Sequence, residues 1–510
     1  MTAPPAPAIK LEGVAKRFGA VQANKDVSLS VAAGSIHGIV GENGAGKSTL
    51  MSILYGFYEA DAGEIRIGGE PRRIRSPADA ISCGIGMVHQ HFMLVETLSV
   101  VENVVLGAEG GVFLTGGLAR ARTELARLAG DFGLAIDPDA IVGELSVGLQ
   151  QRVEILKALH RGAQILILDE PTAVLTPTEA EQLFTLLRRL KEQGRTVILI
   201  THKLREIMAV TDRVSVMRQG EMVAHLATAE TSPAALAEAM VGRRVLLRVE
   251  KAPRRPGAPV LEARGLSLVD ARGIARLDHV DLTLHTGEIV GIAGVAGNGQ
   301  SELIEVLAGL ARPSGGSIRL EGRTLGPSEI DPAKLRRLGV MHIPEDRQRS
   351  GLITAFSATE NAILGYHDDP EFGPGPFLSP AAISAHARRS FAAYDVRPPD
   401  PALKTAKFSG GNQQKIVLGR EIERAPKVLL VGQPTRGVDI GAIEFIHRRL
   451  VALRDQGVAI LLVSVELEEV MALSDRILAM CGGRITGERA ADAADEREIG
   501  LLMAGVGEAA

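Results

Sequence analysis

Short β-branched runs, apolar at every position, alternate along the chain with segments whose apolar residues recur at helical spacing. "SIHGIV" (35–40), "ILILD" (165–169) and "TVILIT" (196–201) read as strands buried on both faces. "STLMSILYGF" (48–57) and "LQQRVEILKALHR" (149–161) read as helices; in the second, Val153, Leu156 and Leu159 fall on one face. This alternation predicts an α/β fold with a largely parallel sheet. The longest apolar runs, such as "VAILLV", suit buried strands and are too short to span a bilayer.

The pattern is written twice. "VAAGSIHGIVGENGAGKSTLMSILYG" (31–56) matches "LHTGEIVGIAGVAGNGQSELIEVLAG" (284–309), and "LSVGLQQRVEILKAL" (145–159) matches "FSGGNQQKIVLGREI" (408–422). "ILILDEPTAVLTPTE" (165–179) likewise has an echo in "VLLVGQPTRGVDIGA" (428–442). The separation of Ser146 from Ser409 exceeds that of Gly44 from Gly297 by about ten residues, an insertion any surface loop could hold. The chain therefore reads as a duplicated domain: 8–245, an irregular Pro-containing linker at 246–258, and 259–505. Basic residues around the join, including Arg243, Arg244, Arg248, Lys251, Arg254 and Arg255, read as a solvated linker, because no aromatic residues interleave for base stacking.

Bulk properties narrow the class. With 510 residues, 45% hydrophobic and 23% charged, the chain is globular with more than one core. A formal charge of −4 gives no strong field for nucleic acid. Cys83 and Cys481 stand in no ligand spacing and read as buried thiols of a reducing compartment. The start, "MTAPPAPAIK", has no apolar core of a signal peptide. A soluble or peripheral protein is expected.

The candidate chemistry begins at "GENGAGKST": Gly41, Glu42, Asn43, Gly44, Ala45, Gly46, Lys47, Ser48 and Thr49, between a predicted strand and a predicted helix. Glycines let backbone N–H groups converge on phosphate oxygens, and the helix N-terminus adds its positive end. Lys47 is expected to neutralise the β- and γ-phosphates, and Ser48 to offer its hydroxyl to Mg²⁺. Asp169 ends a strand where a carboxylate reaches the cation; Glu170 can polarise an attacking water. Gln90 could link cation and water, and His202, at a strand end, could hold the γ-phosphate. His89 and His91 flank Gln90, but with no further ligand nearby they are not read as a metal site.

These motifs, with "LSVGLQQR" and "ILILDEPT", resemble the ATP-binding subunit of an ABC transporter over roughly residues 8–500. The resemblance implies two tandem ABC-type nucleotide-binding domains, each a RecA-like core with an antiparallel β-subdomain and a helical subdomain bearing the signature. It implies ATP and Mg²⁺ as ligands, and Phe18 as the ring stacking on adenine. Copy two departs from the pattern: Gln300 replaces lysine, Glu345 replaces glutamine, Gly432 and Gln433 replace Asp-Glu, and Val465 replaces histidine. Its signature, Ser409, Gly410, Gly411 and Asn412, is complete, whereas copy one has Val147 and Leu149 after Ser146. In the family each ATP lies between one domain's loop and the other's signature, so one composite site is expected intact and the other weakened. Thr176 departs from the aspartate usual after "DEPT", which copy two keeps as Asp439.

The second half and "QPTRGVDIGA" resemble the ATP-binding proteins of simple-sugar and nucleoside importers, the nucleoside branch more closely. That implies two transmembrane permease subunits, an extracytoplasmic solute-binding protein, and peripheral attachment at the cytoplasmic face of the membrane. Segments 91–103 and 346–361 would receive the permeases. The alternative is a soluble tandem-ABC ATPase acting on ribosomes, but such proteins carry two intact sites and a long charged linker.

Overall fold

The computed structural model describes residues 6–19, 21–89, 92–107, 115–134, 136–172, 175, 177–244, 249–253, 256–295, 297–373 and 377–505. The chain divides into two units, Met1–Val245 and Leu246–Ala510. In each, a six-stranded sheet and a four-stranded antiparallel sheet form the frame.

In unit 1 the large sheet runs Glu221–Ala227, Arg213–Arg218, Ile36–Gly41, Thr196–Ile200, Ile165–Asp169, Ile85–Val88. All neighbours are parallel except the edge pair Arg213–Arg218 with Glu221–Ala227. The three central strands are buried along their whole length, as apolar runs without alternation require. The small sheet, Val21–Val31, Ile9–Phe18, Ala62–Ile67 and Glu70–Pro71, alternates buried and open positions and closes one core with Leu50, Ile53 and Ile167. Unit 2 repeats the plan: Ile289–Ala293 lies between Ala459–Ser464 and Arg476–Cys481, with Val428–Gly432 and Val340–Ile343 beyond.

The helices begin and end for local reasons. The first phosphate-loop helix is Lys47–Leu54, three residues shorter at its C-terminal end than its apolar pattern suggested. Gly56, at φ +84°, turns the chain so closely onto Ser76 that no side chain fits there. The signature helix Val147–His160 buries Val153, Leu156 and Leu159, and also Glu154. The duplication extends to single atoms. Ser99 with Glu102, and Ser357 with Glu360, form capping boxes. Just beyond, Asn103 and Asn361 each tie down the preceding loop, taking the N–H of Val95 or Ile353 and donating to the same residue's carbonyl.

Two expectations change. The linker is anchored at one point: Lys251 donates to the Ser474 carbonyl and pairs with Asp475, and Arg454 holds the Ala252 carbonyl, while Glu250, Ala252 and Pro253 are exposed. The cysteines are free but only half-buried; Cys83, the C-cap of helix Pro77–Ser82, packs partly buried against the unit 1 core. Among the described residues no helix is long and apolar enough to cross a membrane.

Candidate nucleotide site

In unit 1 the strand Ile36–Gly41 delivers the chain into a loop that opens the helix Lys47–Leu54. Gly46 is the N-cap at φ +102°, a left-handed conformation that leaves the helix's first N–H groups pointing into the loop. Ala45 is held from both sides, its N–H donating to the Glu42 carbonyl and its carbonyl accepting from Gly220. Lys47 is buried, and its ammonium donates to the carbonyls of Gly41 (2.7 Å) and Glu42 (3.0 Å). Burial lowers its pKa, opposed by Glu170, Asp169 and Glu42. The loop is thus curled around its own cation.

The carboxylates converge from the neighbouring strand. Asp169 ends Ile165–Asp169, on the strand beside the loop. Burial, then the charge of Glu170, raises its pKa, with Lys47 and Ser48 opposing. Glu170 sits at φ +48°, a strained conformation for a side-chain-bearing residue, with its N–H bonded to the Ile200 carbonyl at 2.8 Å. Its Oε1 lies 2.9 Å from His202 Nδ1. Burial alone would raise its pKa, but the His202 hydrogen bond and the charges of His202, Lys47 and Lys203 outweigh it and lower it. Two adjacent carboxyl groups are thereby pushed in opposite directions, a signature of divided roles.

Phe18, ending the strand Ile9–Phe18, is 41% exposed, with its ring edge-on to Tyr58 at 5.0 Å. Such an open ring can take a flat partner. Gln90, His91 and Thr176 lie outside the described residues. Sequence reasoning missed several supports. Asn24, fully buried, donates to the Gly46 carbonyl at 3.1 Å. The Thr172 hydroxyl donates to buried Glu206, and Gln151 of the signature helix holds the Pro171 carbonyl at 2.7 Å. These bonds fix the turn after Glu170; a Thr or Gln in a familiar motif gives no signal of its target.

In unit 2, Ser409 caps the helix Gly410–Ile422 and accepts from the Asn412 side-chain amide at 2.8 Å. Asn412 accepts in turn from the Arg397 N–H. Gly410 lies beneath Arg347, which donates to the carbonyls of Arg436 and Gly437, and Gly411 faces Asp439. In unit 1, Ser146 caps the helix Val147–His160 without a side-chain hydrogen bond, and Val147 is exposed where unit 2 has Gly410. Unit 2's loop keeps the backbone shape, with Gly297 at φ +90° and Gly299 at φ +104°, but not the charges. Gln433 adopts the strained backbone of Glu170, φ +46°, and its side chain accepts from the Val465 N–H at 3.1 Å.

Unit 1 therefore gathers a glycine loop, a buried ammonium, a serine hydroxyl, a strand-end carboxylate and a carboxylate–imidazole pair. The hydroxyl and carboxylate oxygens are hard donors that suit Mg²⁺ beside phosphates. The model of the ABC transporter family matches residues 24–173 and 277–436, more than half of the chain and both loops. The chain belongs to the ABC transporter family. As an ABC transporter protein with two such domains, it is an ATPase whose activity is coupled to transport. It is 47% identical to the glucose import ATP-binding protein TsgD13 of Haloferax volcanii, over 99% of this chain and 96% of the relative. The guanosine import ATP-binding protein NupO of Bacillus subtilis is 47% identical over 98% of this chain and 97% of its own. The nucleoside import ATP-binding protein NupA of Lactococcus lactis is 44% identical, over 98% of each.

Proposed function

We propose that this ABC transporter protein powers import of a nucleoside or simple sugar and hydrolyses ATP at one composite site. Relatives named for guanosine and nucleoside import, at 47% and 44% identity, favour the nucleoside class over ribose, whose import proteins reach 39–41%. Import names also favour this reading over the ribosome-acting alternative. The protein works from the cytoplasmic face of the membrane through two permease subunits, which a solute-binding protein feeds.

In this reading the loop Gly41–Thr49 cradles the phosphates, with Lys47 leaving its loop carbonyls for the β- and γ-phosphates. Ser48, Asp169 and Gln90 hold Mg²⁺, which would neutralise phosphate charge. Glu170, ionised because of its imidazole partner, polarises the attacking water. His202 positions Glu170 through Nδ1 and turns Nε2 toward the γ-phosphate. Ser409, Gly410, Gly411 and Asn412 close the site from the other half, and Phe18 carries the adenine. One observation carries the proposal: the charged set Lys47, Asp169, Glu170 and His202 is assembled in unit 1, while unit 2 has Gln300, Gly432, Gln433 and Val465 on the same backbone. ATP hydrolysis by the permease complex tests it. Lys47→Ala should abolish turnover and Gln300→Ala should retain most of it; equal losses would refute the asymmetry.

A further inference from the structure

Beyond Glu345 unit 2 has chain to spare: Asn361 follows Glu345 by three residues more than Asn103 follows Gln90. This stretch forms a π-helical turn, Arg347–Gly351, opened by Asp346, whose carboxylate accepts from the N–H groups of Gln348 and Arg349. The turn lies along the signature helix Gly410–Ile422. Arg347 covers Gly410, and the Gln348 amide donates to the buried Gln413 side chain at 3.2 Å. Gly351 packs against Val417, and buried Arg420 donates to the Gly351 carbonyl at 2.8 Å. Positions 410, 413, 417 and 420 recur at helical spacing on one face, so turn and helix form a single piece.

Arg347 is the part of this piece that reaches the signature loop. Its guanidinium spans two carbonyls of the loop after Gln433, those of Arg436 and, at 3.2 Å, Gly437. Its Nε is buried without a partner, so the two carbonyl bonds fix the group. Gly410 is fitted to this arrangement: a Cβ there would stand 2.5 Å from Arg347 Nη2 and 2.7 Å from the Gly437 oxygen. Gly437 itself, at φ +63°, holds a backbone that side-chain-bearing residues rarely adopt. Unit 1 repeats only the far end. There Lys157 donates to the Met93 carbonyl at 2.8 Å, as Arg420 does to Gly351. At the near end Val147 stands exposed in the place of Gly410, with the side chain that the Arg347 arrangement excludes.

We infer that Arg347 is a positioning residue for ATP hydrolysis: it locks the signature Ser409–Asn412 and the carbonyls of Arg436 and Gly437 into the shape that closes on the nucleotide. It acts through Ser409 and Gly410, not on the phosphates. This rests on the reading that the unit 2 signature completes the Lys47 site. The planar fork is essential to the role, because a lysine ammonium cannot hold two carbonyls in one fixed plane.

The test is ATP turnover by the permease complex in a double-mutant cycle with Ser409→Ala. Arg347→Ala should lower kcat about tenfold to 10²-fold with KM for ATP nearly unchanged, and Arg347→Lys should recover little of the loss. On a Ser409→Ala background, adding Arg347→Ala should cost at most about twofold more, because a group that acts through the signature has lost its route. Partial unfolding would instead multiply the two losses, and calorimetry of the full chain reports it directly. Should Arg347→Ala not fold, Arg347→Lys, which keeps the charge and most of the bulk, carries the same cycle. Full turnover in either Arg347 variant, or losses that simply multiply, would overturn the role of Arg347 and leave the composite site standing. Full turnover in Ser409→Arg would overturn the composite site and this role with it.

Discussion

Gly44 and Gly46 look interchangeable in the motif, yet the structure makes them unequal. Both have positive φ, +81° and +102°, so alanine at either costs about 1–2 kcal/mol in backbone strain. At Gly44 a Cβ would meet nothing within 4 Å. At Gly46 it would sit 2.4 Å from the Ala23 carbonyl oxygen, 2.9 Å from Asn24 Nδ2 and 3.0 Å from Met217 Cε. Relieving that contact adds about 1–3 kcal/mol. Displacing Asn24 also forfeits its bond to the Gly46 carbonyl, about 0.5–1.5 kcal/mol. Gly46→Ala should therefore cost about 2.5–6.5 kcal/mol against about 1–2 for Gly44→Ala. At about 2–4 °C per kcal/mol for a domain of this size, the gap is at least about 3 °C in Tm. Differential scanning calorimetry of the full apo chain is the suitable assay, because a chain without Trp gives little intrinsic fluorescence change. Equal shifts for the two variants would refute the argument that close packing beneath Gly46 shapes the loop.

Two further outcomes follow from the carboxylates. Glu170→Gln should lower ATP turnover by roughly 10²–10⁴ while sparing ATP binding; a turnover assay showing no change would remove Glu170 from its role. Asp169 has its pKa raised in the folded state, so folding disfavours its charged form: the native state binds more protons, and stability rises as pH falls through that pKa. At neutral pH without metal, Asp169→Asn should accordingly raise the calorimetric Tm even as it abolishes Mg²⁺-dependent turnover; a lower Tm would count against the buried repulsion.

How much was legible beforehand depended on the kind of signal. The central strands were readable because a parallel strand covered on both faces must be apolar throughout, as "ILILD" is. That Lys47, Asp169 and Glu170 come together was readable because the motifs space them around a strand–loop–helix turn and the end of the next strand. Supports that act through space were not. Asn24 reaches Gly46 across the small sheet, Arg347 reaches Gly437 over a long sequence separation, and Glu345 fills the space that Gly432 leaves empty. Each is an ordinary polar residue in a loop or strand, with no periodicity to mark its partner. Glu345 is the instructive case: in sequence it is a mismatch, and in the structure it completes a pair with Ser301. Lys251 misled for the opposite reason, since a Pro-rich basic stretch predicts solvent and its contacts with Ser474 and Asp475 come from far along the chain.

The central claim is that the loop holding Lys47 is completed by the signature of the other half. ATP hydrolysis by the permease complex, compared between Ser409→Arg and Ser146→Arg, tests it most directly. The account predicts a loss of about 10²-fold or more for Ser409→Arg and at most a few-fold for Ser146→Arg. The reverse order, or equal losses, would contradict it.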